Sequence, residues 1–124
     1  MKKKVLIIED NIDLLEIYKI NFEMEGFVVD TAKNGMEGIV KLLEKKPDII
    51  VLDIMMPSMN GFEVLKTIKT QSSISIPIVV CSNLSSKEDE TTIMESGADI
   101  YLRKSDYKGE EVVKKAIELL KQKI

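Results

Sequence analysis

The sequence PDIIVLDIMMPSMNG, residues 47–61, carries the clearest structural signal of the chain. It begins with an unbroken apolar run, Ile49 to Leu52, that shows no alternation between apolar and polar residues. Such a run is typical of a strand covered on both faces, as strands of parallel sheets are. Asp53 follows the run directly, and Pro57 marks the loop behind it. The stretch therefore predicts a buried parallel strand that delivers a carboxylate to one edge of a sheet.

Four other apolar runs are continuous in the same way, and they occupy residues 5–8, 27–29, 76–80 and 100–102. Segments with helical spacing alternate with the runs, at residues 14–22, 39–43, 62–68, 87–96 and 112–120. In the first segment, the predicted buried face consists of Leu14, Ile17, Tyr18 and Phe22. Gly26 is predicted to end that helix, and Ser85 or Ser86 to cap the fourth. Alternation of this kind predicts one α/β domain, a five-stranded parallel sheet with helices on both faces.

Composition excludes several classes of function. The 124 residues suit one domain, and 18 basic against 21 acidic side chains give a net charge of −3, which argues against non-specific nucleic-acid binding. No apolar run approaches the roughly 20 residues of a membrane span. The chain has no His, which excludes histidine triads, histidine zinc sites and histidine phosphoacceptors. Its single Cys, Cys81, allows no internal disulfide and fits a cytoplasmic location.

Polar residues follow four of the five predicted strands: Glu9 and Asp10, then Asp53, Ser82 and Lys104. The carboxyl ends of parallel strands share one edge, so these side chains are expected to meet there. Three crowded carboxylates repel each other unless a cation intervenes, and magnesium suits such oxygen ligands. Taken singly, each residue is equally well a turn, a helix cap or a solvated charge. Together they indicate a cradle for a phosphoryl group.

The chain resembles the receiver domains of two-component response regulators, the CheY-like family. Residues 5–10, 47–61, 77–82 and 97–104 carry the resemblance. It implies a doubly wound, flavodoxin-like (βα)5 fold with strand order 2-1-3-4-5 and a single receiver domain over residues 1–124. It also implies a phosphorylation-controlled signalling switch rather than an enzyme.

The resemblance assigns a role to each acid at the sheet edge. Asp53 is expected to accept a phosphoryl group from the phosphohistidine of a sensor histidine kinase or a phosphotransfer protein. Glu9, Asp10 and Asp53 are expected to hold Mg²⁺ through their side chains, and Met55 through its backbone carbonyl.

The resemblance also implies a switch and two contact surfaces. Lys104 and Ser82 are expected to bind the phosphoryl group, and Ser82 and Tyr101 to move when it arrives. The face formed by helix 4, strand 5 and helix 5 then controls an output partner or domain. Ile12 and Leu15 on helix 1 are candidates for docking the kinase, and the alternative is that they widen the buried stripe of that helix and pack on the sheet.

Two residues depart from the usual receiver-domain pattern, and two others bear on the rate at which the phosphoryl group is lost. Ser105 replaces the usual proline after the lysine, so the Lys104–Ser105 peptide bond is expected to be trans. Asn83 stands where a small residue usually follows the switch hydroxyl. Met55 and Leu84 flank the predicted path of the attacking water, and neither side chain can activate a water, which predicts slow loss of the phosphoryl group.

Two other functions fit the same fold class. A flavodoxin-like electron carrier needs a Ser/Thr/Gly-rich phosphate loop after strand 1, where this chain has two acids that would repel the flavin phosphate. A non-phosphorylated pseudo-receiver usually lacks an acid, the acceptor or the lysine, and all of these residue types are present. Whether the chain stands alone or belongs to a longer regulator stays open.

Overall fold

The structure is a computed structural model and describes residues 2–56, 61–71, 76–83 and 86–123. Its strands are β1 (Lys4–Ile8), β2 (Val28–Ala32), β3 (Ile49–Leu52), β4 (Ile78–Ser82) and β5 (Ile100–Arg103). Its α-helices are α1 (Ile12–Met24), α2 (Gly35–Glu44), α3 (Gly61–Gln71), α4 (Lys87–Glu95) and α5 (Gly109–Gln122). A short 3₁₀ turn, Lys104–Asp106, precedes α5.

The five strands form one parallel sheet in the order β2-β1-β3-β4-β5. Alternate side chains of each central strand enter opposite layers of the core, because successive residues of a strand point to opposite faces. Ile50 and Leu52 pack in the layer that contains α2, α3 and α4. Ile49 and Val51 pack in the layer that contains α1 and α5. The predicted α/β architecture and strand order are confirmed.

The buried face of α1 differs from the prediction. Leu15, Tyr18 and Phe22 face the core, whereas Ile17 is 45% exposed. Leu15 is only 4% exposed, so the expectation that it offers an apolar docking surface is wrong. The helix packs on the sheet beside α5, in the same layer, and Ile17 contacts the start of α5 at Gly109. A Cβ at Gly109 would lie 2.2 Å from Ile17 Cγ2, so only glycine permits this approach.

Two strands are displaced from the predicted runs. β2 begins at Val28 and extends to Ala32, beyond the run at 27–29, and it is half exposed because it lies at the edge of the sheet. The expectation that this run is covered on both faces is therefore wrong. β4 covers Ile78–Ser82 rather than 76–80, and Pro77, which has no N–H to donate, precedes it.

Local signals at the helix ends are confirmed. Gly26 follows α1 with φ of 88°, a conformation that glycine adopts without strain. Ser86 caps α4 by accepting a hydrogen bond from the Asp89 N–H, while Ser85 lies outside the described residues. Among the helices described, none has both the length and the apolar character needed to cross a membrane.

Candidate functional site

The site lies where β1 and β3 end side by side. The β1–β3 ladder continues one step past the strand, since the Asp53 N–H donates to the Ile8 carbonyl at 3.0 Å. Carboxylate oxygens of Glu9, Asp10 and Asp53 all lie within 4.8 Å of one another. Glu9 and Asp53 are 2% and 3% exposed, whereas Asp10 is open to solvent. The three predicted acids therefore form one cluster with a single open side.

Lys104 brings positive charge to this cluster. Its Nζ lies 2.7 Å from Glu9 Oε1 and 3.3 Å from Asp53 Oδ2. The lysine follows β5 and opens the 3₁₀ turn, so its position depends on where that strand ends. The sequence predicted that Lys104 lies at the same sheet edge as the acids. The shorter contact with Glu9 was not predicted.

Backbone groups complete the hydrogen bonding of the two buried acids. The Asn11 N–H donates to Glu9 Oε2 at 3.1 Å, and the Met55 N–H donates to Asp53 Oδ1 at 3.2 Å. Asn11 also caps α1, because its Oδ1 accepts a hydrogen bond from the Leu14 N–H. The alternative interpretation of Glu9 and Asp10 as the cap of this helix is therefore wrong, since their neighbour Asn11 supplies the cap. These bonds fix the orientation of both carboxylates.

The protonation behaviour of the cluster reflects burial opposed by Lys104. Burial raises the pKa of Glu9 to about 7, although the Lys104 hydrogen bond opposes the shift. Burial also raises the pKa of Asp53, against the lysine charge and the Met55 N–H. Burial lowers the pKa of Lys104, but Glu9 and Asp53 outweigh it and the net shift is upward. The single positive charge of Lys104 does not balance three carboxylates. Their oxygen atoms are ligands of the kind that a hard divalent cation such as Mg²⁺ prefers.

Ser82 ends β4 beside the acids. It is fully buried, and its hydroxyl lies near enough to Asp53 to favour the ionised carboxylate. Within the part of the chain that the structure describes, however, Ser82 Oγ makes no hydrogen bond. Its carbonyl accepts a hydrogen bond from the Tyr101 hydroxyl at 3.0 Å. The two residues predicted to act as the switch are therefore in direct contact.

The response regulator receiver domain model matches residues 5–117. The chain belongs to the response regulator receiver domain family. Response regulators are the proteins that receive phosphoryl groups from histidine kinases, and the family implies phosphorylation-controlled switching.

Relatives of this receiver domain support the assignment in sequence and in structure. The alkaline phosphatase synthesis transcriptional regulatory protein PhoP of Bacillus subtilis is 36% identical over 104 residues, which cover 84% of this chain and 43% of PhoP. The receiver domain of Francisella response regulator 1452 superposes with a TM-score of 0.89 at 30% identity, covering 99% of this chain and all of that one. Vibrio cholerae CheY4 superposes with a TM-score of 0.86 at 28% identity, over 97% of this chain and 99% of that chain. This chain spans less than half the length of the curated relatives it matches.

The loop after β5 of this receiver domain is attached to the loop after β4. The Lys104–Ser105 peptide bond is trans, as predicted from the absence of proline. The Ser105 N–H donates to Asn83 Oδ1 at 3.2 Å and joins the loops after β4 and β5. The two residues are 22 positions apart in the sequence, and no local sequence pattern predicts the bond.

A second contact that the sequence did not reveal lies behind the site, in the core. The Tyr18 hydroxyl and the Cys81 thiol are 3.3 Å apart, and they join α1 to β4 one residue before Ser82. Burial raises the pKa of Cys81 to about 11 and also raises the pKa of Tyr18. Both groups are therefore uncharged at neutral pH.

The remaining candidate residues lie around the rim. Ile12 is 56% exposed at the start of α1, one residue from the Asn11 cap. The Met55 side chain is exposed beside Asp53, and its carbonyl stays a predicted metal ligand. Leu84, predicted to flank the water path, lies outside the described residues.

Proposed function

We propose that this receiver domain is a signalling switch in which Asp53 accepts a phosphoryl group from the phosphohistidine of a sensor histidine kinase or phosphotransfer protein. The observation that carries the proposal is the placement of Asp53 within 3.3 Å of Lys104 Nζ and inside a three-acid cluster that is open at Asp10. Residues 1–124 are proposed to form one receiver domain that acts in the cytoplasm without binding nucleic acid or membrane directly.

The transfer needs few groups from the protein. A carboxylate oxygen of Asp53 attacks phosphorus and forms a P–O bond, while the P–N bond of the donor breaks. The electron pair of the P–N bond leaves with the imidazole of the donor, which keeps the proton on its other nitrogen. Lys104 neutralises charge on the phosphoryl oxygens, and the Met55 N–H holds the attacking carboxylate in place.

A divalent cation completes the proposal. Glu9, Asp10 and Asp53 would hold Mg²⁺, with the Met55 carbonyl as a further ligand, and the ion would supply charge neutralisation for the incoming phosphoryl group. The protein's own contribution is to keep the buried carboxylates oriented, through the Asn11 and Met55 N–H groups.

The switch is proposed to start at Ser82. A buried hydroxyl without a hydrogen bond costs about 1–3 kcal/mol, so a new phosphoryl oxygen on Asp53 offers Ser82 a partner. The Tyr101 hydroxyl is bonded to the Ser82 carbonyl, so Tyr101 is expected to follow that movement. Tyr101 lies on β5, and its ring packs in the core layer that contains α4. The face formed by α4, β5 and α5 is therefore proposed to contact the output partner or domain.

Phosphorylation by a small-molecule donor tests the proposal. Treatment with acetyl phosphate and Mg²⁺ is expected to add one phosphoryl mass to the intact chain, and Asp53→Asn to prevent it. Asp13→Asn, which changes an exposed acid of α1 outside the cluster, is the matched control and should label normally. A wild-type chain that gains no phosphoryl mass would contradict the proposal and favour the pseudo-receiver. The structure offers no support for that alternative, since the acids and the lysine contact each other.

A further inference from the structure

Two positions at which this chain departs from the usual receiver pattern contact each other. Asn83 Oδ1 accepts the hydrogen bond that the Ser105 N–H donates, at 3.2 Å. Proline, the residue usually found in place of Ser105, has no N–H and cannot make this bond. The larger residue after β4 and the missing proline after β5 are therefore parts of one structural feature.

This hydrogen bond lies where the backbone ladder between β4 and β5 stops. The last register pair of the two strands is Ser82 with Arg103. One residue later, the Asn83 side chain reaches across to the β5 side. The Tyr101 hydroxyl makes a second bond to the same segment, at the Ser82 carbonyl. The segment that holds the switch hydroxyl is thus attached to the β5 side at two points.

We propose that Asn83 is a positioning residue: by accepting the Ser105 N–H, it opposes the movement of Ser82 toward Asp53 and keeps the unphosphorylated chain in its unswitched conformation. This inference rests on the proposed function. The buried, unbonded Ser82 hydroxyl favours movement toward an acceptor on Asp53. Because Asn83 follows Ser82 directly in the chain, that movement strains or breaks the bond to Ser105. A ligand that selects the switched conformation must therefore supply the free energy that is lost when this hydrogen bond is strained or broken.

Variants of Asn83 separate the hydrogen bond from the bulk of the side chain. Asn83→Ala removes both, whereas Asn83→Leu removes the acceptor and keeps a side chain of similar size. Ser105→Ala is the matched control, because it keeps the backbone N–H and therefore the bond. Ser105→Pro is less useful, since proline disfavours the turn conformation of the preceding Lys104.

The probe is beryllofluoride, a phosphoryl mimic, added to the chain in saturating Mg²⁺ and followed through the backbone amide signals of Ser82 and Tyr101. Loss of one neutral hydrogen bond is expected to tighten beryllofluoride binding about two- to tenfold in Asn83→Ala and Asn83→Leu. Without the probe, the same amide signals are expected to lie closer to their beryllofluoride-bound positions than those of the wild type. A residue that only supports the fold would not produce this displacement.

Each other outcome has a defined meaning. Wild-type affinity in both Asn83 variants overturns the inference and leaves the proposed function intact. Tighter binding in Asn83→Ala alone also overturns it, because bulk and not the hydrogen bond would then be responsible. A change in Ser105→Ala equal to that in Asn83→Ala has the same effect. A wild-type chain that binds no beryllofluoride contradicts the proposed function itself, and the inference with it.

Discussion

Lys104 Nζ lies 2.7 Å from Glu9 Oε1, closer than to Asp53 Oδ2 at 3.3 Å. The lysine of the site is therefore shared between two buried carboxylates that end neighbouring strands. The ammonium compensates the negative charge of both carboxylates. Lys104 is therefore expected to stabilise the fold, in addition to its role in the proposed phosphoryl site.

Replacement of this lysine is expected to destabilise the fold in a pH-dependent manner. Lys104→Met leaves Glu9 and Asp53 without their cation, and loss of one partner of a buried pair typically costs about 3–5 kcal/mol. We expect a loss in this range at pH 8 and a smaller one at pH 5, where Glu9 can take up a proton instead. Urea denaturation at both pH values measures it, with the exposed Lys114→Met as control. Equal losses of unfolding free energy at the two pH values would contradict the hypothesis that Lys104 compensates an ionised Glu9.

Magnesium is expected to stabilise the folded chain, because only the fold assembles the three acids. A hundredfold excess over the dissociation constant corresponds to about 2.7 kcal/mol. Asp10→Ala should abolish the gain, while Asp13→Ala, an exposed acid outside the cluster, should keep it. Melting temperatures with and without Mg²⁺ measure the effect. A response that survives in Asp10→Ala would place the ion elsewhere.

Stability without metal is expected to fall as pH rises. The pKa of Glu9 is raised in the fold from 4.5 to about 7, so this group contributes stability below about pH 4.5 that is lost as pH rises through about 7. At 1.36 kcal/mol per pKa unit, the loss over this pH range is roughly 3 kcal/mol. The shift of Asp53 has the same sign.

Magnesium should reverse this slope, since it binds the ionised carboxylates and its stabilising effect grows with pH. Unfolding free energies between pH 5 and 8, in EDTA and in Mg²⁺, provide the comparison. Glu9→Gln is the reference for the slope that other groups contribute. A metal-free slope that is the same in Glu9→Gln and in the wild type would show that Glu9 is not its source.

The central strands β1 and β3 were predictable because each is a short, continuous apolar run followed directly by an acid. The run at Ile49–Leu52 is continuous and, apart from Leu52, β-branched, and β3 matches it residue for residue. The acid cluster was predictable for a related reason, because parallel strands deliver their carboxyl ends to one edge.

The orientation of α1 was not predictable from periodicity. Apolar residues stand at both Leu14 and Leu15 and again at both Ile17 and Tyr18, so two helical faces are equally apolar. Only packing against the sheet and α5 decides between them. The bond between Asn83 and Ser105 is missed for a different reason, since it joins two loops through a single amide. No hydrophobic pattern encodes such a contact.

The exposed Ile12 is expected to contribute to kinase docking. Ile12→Lys should slow phosphoryl transfer from a histidine kinase that phosphorylates the wild type, since a buried apolar contact would be replaced by a charge. Labelling by acetyl phosphate should not change. Ile20→Lys is the matched control, because Ile20 is equally exposed, at 52%, but lies two helical turns further from the site. Equal slowing by both substitutions would argue against a specific contact at Ile12.

The exposed Met55 is expected to prolong the life of the phosphorylated form. A thioether can neither orient nor activate a water, so Met55→Asn should accelerate loss of the phosphoryl group. A positioned group that transfers a proton typically contributes about 10²–10⁴-fold in rate, so even a partial effect of Met55→Asn should be measurable. Decay of the phosphorylated mass over time measures it, with Met36→Asn on α2 as control. An unchanged decay rate would mean that another residue limits access of water.

The contact between Tyr18 and Cys81 has a practical consequence. Cys81 is the chain's only cysteine, and burial leaves its thiol both shielded and protonated at neutral pH, whereas alkylating reagents react with accessible thiolates. A cysteine introduced at an exposed position such as Met24 would then be the only one that labels readily. Spin labels or fluorophores can thus be attached at chosen points without removal of the native cysteine. Distances between two such labels can therefore be compared with and without a phosphoryl mimic, while the core of the domain stays unmodified.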